Sequence, residues 1–241
     1  MASPPSERSD IRPIGGSKTY KYAVHRTLFE MIQNLDIAPG ERLVEQDLSE
    51  RFQVSKTPIR EALLLLEKDR LIEIVPHTGA TVSWLSLADY EQHLFILDAL
   101  ETPAMRLVSE RASMSEFMSW QSEVDEVLQA LSDNDLRRYR VAAGSLHNKI
   151  FSAAGFPRLT EMITAAVQAL YRYGVLFIDS SPEERDRECE IVVRRVELLR
   201  RGEVDAAIEL VTARHAAMLE SAFVRVARCD PHVMRHLLEG Q

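Results

Sequence analysis

The sequence has no excess of positive charge. Its 241 residues hold 29 Lys and Arg against 37 Asp and Glu, a formal charge of −8. At face value, such an acidic chain is a poor partner for nucleic acid. It also lacks any run near the ~18 apolar residues of a membrane span. Cysteine is almost absent. Cys189 and Cys229 form neither a CxxC pair nor a disulfide framework, which leaves two ordinary thiols and no redox motif. No N-terminal basic-then-apolar segment reads as a secretory signal, so the expected compartment is a reducing cytoplasm. There is no internal repeat, and no phosphate loop, nucleophile–base spacing or metal motif that would mark an enzyme.

What is present is an ordinary globular composition. With 46% hydrophobic and 27% charged residues, wholesale disorder is excluded and two domains are affordable. Residues 1–17 are rich in Pro, Ser and Gly and read as a flexible tail. Residues 18–85 form one expected domain and residues 86–241 a second.

In the first, Val24, Leu28, Met31, Ile32 and Leu35 mark an amphipathic helix over 19–36, ended by Pro39-Gly40. A short helix is expected at 45–52, buried through Leu48 and Phe52, with Glu45 and Asp47 at its positive end. After a turn at Val54-Ser55, Ser55 suits an N-cap and Pro58 a first helical turn. The next helix buries Ile59, Ala62, Leu63 and Leu66 and leaves Lys56, Thr57 and Arg60 on its other face. LIEIV and ATVSW, around Pro76-His77-Thr78-Gly79, read as a β-hairpin.

The second domain is helical throughout, six or seven helices with breaks near 113–115, 132–135, 155–157, 179–182, 202 and 230–231. Ser86 with Asp89 resembles a capping box, and Ser181-Pro182-Glu183-Glu184 is a strong helix start. The fold class is therefore mainly α, an N-terminal winged helix-turn-helix with a small hairpin wing and a C-terminal helical bundle.

Two helices joined by a tight turn, the second with basic and hydroxyl side chains on its free face, are the parts of a DNA-reading unit. The residue string goes further. It resembles the GntR family of bacterial transcription regulators, whose pattern is PGxxLxExxLAxxxxVSRTPVREALxxLxxxGLxxxxxxxGxxV. This chain has Pro39-Gly40, Leu43, Glu45, Leu48-Ser49, Val54 through Leu63, Leu66, Leu71, Gly79 and Val82. The resemblance implies that Ser55, Lys56, Thr57 and Arg60 meet phosphates and bases, that Gln46 touches DNA, and that His77, Thr78 and Gly79 form the wing tip. Lys56 replaces the usual Arg, trading a bidentate fork for a point charge. Asp36 and Arg70 stand where relatives often have Gly, which bears on turn geometry.

The second domain resembles the FCD effector-binding domain of the FadR subfamily. Leu146 to Leu159, LHNKIFSAAGFPRL, is similar to FHxxLxxASGNPxL, Leu100-Glu101 to the LE of its first helix, and Gly202 with Ala206-Ala207 to GDxxxA. Many such domains bind a divalent metal through an Asp and three His. Carried over, those positions are Ala143, His147, Val192, and Arg214 or His215. The expected metal site is thus degraded, with His147 and His215 as remnants and no carboxylate. His147 is either a buried neutral His or a polar group of an effector pocket. Arg214 could supply positive charge to an acidic ligand directly. Relatives that bind small carboxylates often carry an Arg where this chain has Leu97. With Tyr171 and Tyr173 close by, this leans the pocket toward a larger or less polar ligand. The expected effector contacts are His147, Arg214, His215 and Tyr171.

The resulting expectation is a ligand-responsive regulator in the cytoplasm, associated with the nucleoid. It binds an inverted-repeat DNA operator as a homodimer and takes a small-molecule effector, an organic acid or a larger metabolite. The alternatives are an effector-independent architectural DNA binder and a helical-bundle enzyme using His147, with His215, Asp98 and Glu101 beside it. The charge objection weakens on counting by segment. The tail has two of each sign, residues 18–85 nine basic against ten acidic, and residues 86–241 18 against 25. Nearly all the acidity lies in the bundle.

Overall fold

The structure is a computed structural model that describes residues 17–75, 79–177 and 182–226. The chain divides into two compact units between Trp84 and Leu85.

The first unit runs α1 (Ser17–Gln33), β1 (Arg42–Leu43), α2 (Glu45–Phe52), α3 (Lys56–Lys68), β2 (Ile72–Val75) and β3 (Gly79–Val82). Val24, Leu28 and Ile32 of α1 close over Ile59, Ala62, Leu63 and Leu66 of α3 in one apolar core. Leu48 and Phe52 seal the α2 side of it. The helix expected to reach residue 36 stops at Gln33. Leu35 takes a left-handed φ of 59° and the Asp36 N–H turns back to Met31 O at 2.9 Å. At the second position noted in the sequence, Arg70 itself is left-handed, with φ 58°. The strain of the missing glycines therefore falls on Leu35 and Arg70, and Asp36 carries none.

The hairpin is part of a three-stranded antiparallel sheet in the order β1-β3-β2, with Arg42 opposite Thr81 and Ile72 opposite Val82. A two-residue strand has no periodicity, so β1 left no trace in the sequence pattern. Gly40, at φ 79°, turns the chain into β1 directly against the Trp84 ring, where any Cβ would overlap it.

The second unit consists, among the described residues, of six helices: α4 (Leu87–Arg111), α5 (Met114–Ser132), α6 (Leu136–Ser152), α7 (Pro157–Phe177), α8 (Pro182–Arg200) and α9 (Val204–Val226). Ser86 caps α4 by accepting from the Asp89 N–H at 3.0 Å. Ser113 and Glu116 form a reciprocal capping box that starts α5. Pro182 stands at the first position of α8, while the proposed cap Ser181 lies outside the described residues. Trp120, Tyr90, Phe151, Leu146, Ile150 and Ile163 are fully buried at the centre of the bundle. Tyr90 and Tyr173 stack with centroids 4.7 Å apart, so Tyr173 belongs to this core.

Candidate functional site

The turn between α2 and α3 is built without glycine. Gln53 adopts φ 54°, ψ 41° and returns its N–H to Ser49 O, and the Ser49 hydroxyl donates to Val54 O at 2.5 Å. These ties fix the angle at which α3 leaves α2. Ser55 holds the N-cap position of α3 in extended conformation, yet its hydroxyl caps nothing. It is exposed, as are Gln46, Lys56, Thr57 and Arg60. One face of α3 is thus core and the opposite face presents a hydroxyl, an ammonium, a second hydroxyl and a guanidinium to solvent.

Two of these side chains already have partners. Arg60 Nε donates to both carboxylate oxygens of Glu45 at 2.8 Å, and Gln46 Nε2 donates to Glu50 Oε1 at 2.6 Å. Gly79 opens β3 at φ 104°, with the Arg42 side chain against it. His77 and Thr78 lie outside the described residues.

In the second unit, α4, α6, α7, α8 and α9 enclose a cavity of about 120 Å³. Ala143, His147, Val192, Arg214 and His215 all line it, as do Tyr171 and Leu97. Gly144 gives Tyr171 its place, since a Cβ there would overlap the Tyr171 hydroxyl. Burial raises the Tyr171 phenol above its ordinary range, so the ring presents an O–H to the cavity. Leu170, Val211 and Met218 make the remaining wall apolar.

The charged wall is ordered by pairs. His147 Nε2 donates to Glu101 Oε1, and His215 Nδ1 donates to Asp98 Oδ1 at 2.5 Å. Glu101 is 1% exposed, so it is no surface residue. Burial acts to raise its carboxyl, but His147, His215 and Arg195 outweigh that and hold it at about 2. Burial pushes the His147 imidazole below its ordinary range, and Glu101 recovers only part of the shift. The pair is an imidazole N–H donating to a carboxylate. Arg214 grips Glu188 with three hydrogen bonds, Nε to Oε1 at 2.8 Å and to Oε2 at 3.0 Å, and Nη2 to Oε2 at 2.7 Å. Burial opposes the Arg214 charge, and Glu188 overrides it and raises its pKa.

Residues 21–82 match the bacterial regulatory proteins of the gntR family, and residues 93–227, more than half of the chain, match the FCD domain. The chain belongs to the GntR family and carries an FCD domain. It is 34% identical over 112 residues to an uncharacterised HTH-type regulator of Bacillus subtilis, YdhC, covering 46% of this chain and 50% of that one. It is 39% identical over 83 residues to the Escherichia coli HTH-type transcriptional repressor RspR, 34% of this chain and 36% of that one. The chain thus spans about half the length, or less, of these curated relatives. The solved structure of Escherichia coli McbR/YncC shares the fold, with TM-score 0.71 at 20% identity over 85% of this chain and 98% of that one. These relatives are regulators, and none of them is named as an enzyme.

A divalent metal, which the FCD resemblance implies, does not fit the residues of this cavity. Two ligand positions are Ala143 and Val192. Carboxylates are present after all, Glu101 and Asp98, but each is taken by one imidazole. His147 Nε2 carries the proton it gives to Glu101, so that atom has no lone pair for a cation. No three His, Cys, Asp or Glu side chains converge among the described residues. Arg195 and Arg214 lie close enough to disfavour a charged His147, and they would repel a cation as well.

Arg195 and Glu188 are charged cavity residues that motif reading passed over. The signal was available. Once Val192 is placed inward on a helix, Glu188 four residues before and Arg195 three residues after share its face.

Proposed function

We propose that this GntR-family protein is a ligand-responsive DNA-binding regulator of the cytoplasm. The observation that carries the reading is the exposed face of α3, where Ser55, Lys56, Thr57 and Arg60 stand together with their backs to a closed core. Arg and Lys suit guanine edges and phosphates, and Thr a phosphate or a thymine methyl. Gln46, from α2, and the wing led by Gly79 would add backbone contacts. One small reading helix supplies modest affinity. The protein therefore acts as a homodimer on an inverted repeat, associated with the nucleoid, and represses as RspR is named to do.

The second unit supplies the response. A cavity with hydrogen-bonding walls is a place for a small effector, with His147, His215 and Tyr171 among its contacts. The effector alters DNA affinity only as far as it binds the two conformations differently. This cavity also disfavours a purely architectural DNA binder, which needs none.

Selection of bound sequences from random duplexes tests the reading. An inverted repeat should emerge with wild type and fail to emerge with Arg60→Ala combined with Lys56→Ala. Enrichment of no sequence, or equal enrichment by the double variant, would overturn it.

A further inference from the structure

The cavity of the second unit holds two buried polar atoms with no hydrogen-bond partner, Arg195 Nε and Glu101 Oε2. They sit on different helices, α8 and α4, and both residues line the same space. One is a cationic donor and the other an anionic acceptor. A buried polar atom left unsatisfied is unfavourable, and more so when it belongs to a charged group. Arg214 is different. Its guanidinium is committed to Glu188 on three hydrogen bonds, whereas Arg195 keeps a donor without a partner.

We propose that the cavity takes a small organic monoanion, a carboxylate that also bears a hydroxyl, and that Arg195 binds it directly in place of a metal ion. The proposal rests on reading the cavity as the effector site. It grows from the misfit described above. With alanine and valine at two ligand positions and a guanidinium three residues beyond the valine, positive charge is supplied by the chain itself. A planar guanidinium matches a carboxylate with a pair of parallel N–H donors. The hydroxyl of the ligand donates to Glu101 Oε2, the carboxylate oxygen that His147 leaves without a partner. Leu97, Leu170, Val192 and Met218 offer the rest of the ligand an apolar bed. Size bounds the choice. The cavity of about 120 Å³ is somewhat smaller than the ~150 Å³ hole that accepts benzene in an engineered protein core. A short hydroxylated chain of that order fits inside, and a ring would extend through the open side.

The experiment uses the full chain, treated with EDTA, and calorimetric titration of four probes: mandelate, phenylacetate, lactate and the neutral mandelamide. We expect mandelate or lactate to bind without added metal, and mandelamide to bind at least tenfold more weakly than mandelate. Arg195→Met should weaken the acids by at least about thirtyfold, the scale of losing one partner of a buried charge pair. Arg195→Lys should retain part of the affinity. Glu101→Gln should narrow the preference for mandelate over phenylacetate.

Three results overturn the proposal. The acids could fail to bind with or without divalent cation. They could bind only after zinc or magnesium is restored. They could bind Arg195→Met as they bind wild type. None of these touches DNA. Acid binding that leaves operator affinity unchanged would refute the regulatory reading and spare the site, whereas operator binding without acid binding would refute the site alone.

Discussion

Arg60, a guanidinium on the exposed face of α3, is held by Glu45 of the preceding helix, with Nε donating to both carboxylate oxygens at 2.8 Å. The pair is open to solvent, Arg60 at 64% side-chain exposure. Such pairs contribute only about 0–1 kcal/mol to stability. What the bond does is orient the guanidinium and neutralise it in the absence of DNA. This bears on the near-neutral charge of the first unit, because one of the two cations on the face, Arg60, is balanced locally, which weakens nonspecific attraction to a polyanion.

Removing Glu45 should therefore separate affinity from specificity. Glu45→Gln is expected to tighten binding to random duplex severalfold and to steepen the dependence of log K on log salt by about one unit. Arg60→Ala should weaken operator binding by about 1–3 kcal/mol. Fluorescence anisotropy over a salt series measures both. Thermal melts should leave the two variants within about 0.5 kcal/mol of wild type. An Arg60→Ala protein that melts normally and binds operator fully would remove Arg60 from the interface.

The pair of Glu101 and His147 predicts an acid-sensitive fold. Glu101 is held at about 2 against an ordinary 4.5, so the stability it contributes is complete above pH 4.5 and is lost as pH falls toward 2. His147 is lowered from 6.5, so the fold resists its protonation and the unfolded chain gains from acid below pH 6.5. Both act in one direction. The melting temperature should decline below pH 6.5 and steepen below 4.5. His147→Gln should lack the upper part of that decline. An unchanged profile in the variant would assign the acid response elsewhere.

How much of this was legible beforehand differs between the two units. The helix-turn-helix was readable because its core and its exposed residues follow a fixed string from Pro39 to Val82, with every apolar position local in sequence. The boundaries of the bundle helices were readable from caps and breakers such as Ser86 and Gly202. The pairings inside the bundle were not. Glu101 lies in an apolar stripe on α4 and meets His147 across 46 positions, and Asp98 meets His215 across 117. Nothing local distinguishes a buried carboxylate from a solvated one. The pairing of Arg214 with Glu188 was hidden for the same reason, since the two are 26 positions apart.

Arg70 offers a test confined to the backbone. It holds φ 58°, a region where a Cβ costs about 1–2 kcal/mol per residue. Arg70→Gly removes that strain but gives the unfolded chain more freedom, which offsets about 0.4–1 kcal/mol. The net expectation is a stabilisation of roughly 0.5–1 kcal/mol. Chemical denaturation of the wild type and variant reads it directly. Destabilisation would mean that the exposed Arg70 side chain carries a contact worth more than the strain.

Gly144 and Tyr171 give a prediction with its own internal control. Gly144 lies inside α6, where alanine would normally gain about 1 kcal/mol of helix propensity. A Cβ at 144 would overlap the Tyr171 hydroxyl, so Gly144→Ala must push that ring or the helix aside. Overpacking of this kind costs about 1–3 kcal/mol. The single variant should therefore be destabilised despite its better propensity. Tyr171→Phe removes the overlapping oxygen. In that background the same Gly144→Ala change should lose most of its penalty and approach its intrinsic gain. The coupling between the two sites is the quantity to measure, from a double-mutant cycle of unfolding free energies. Additive effects would show that α6 and α7 do not approach here as closely as the Tyr171 hydroxyl requires. The wall of the cavity would then be looser than the size limit on its ligand assumes.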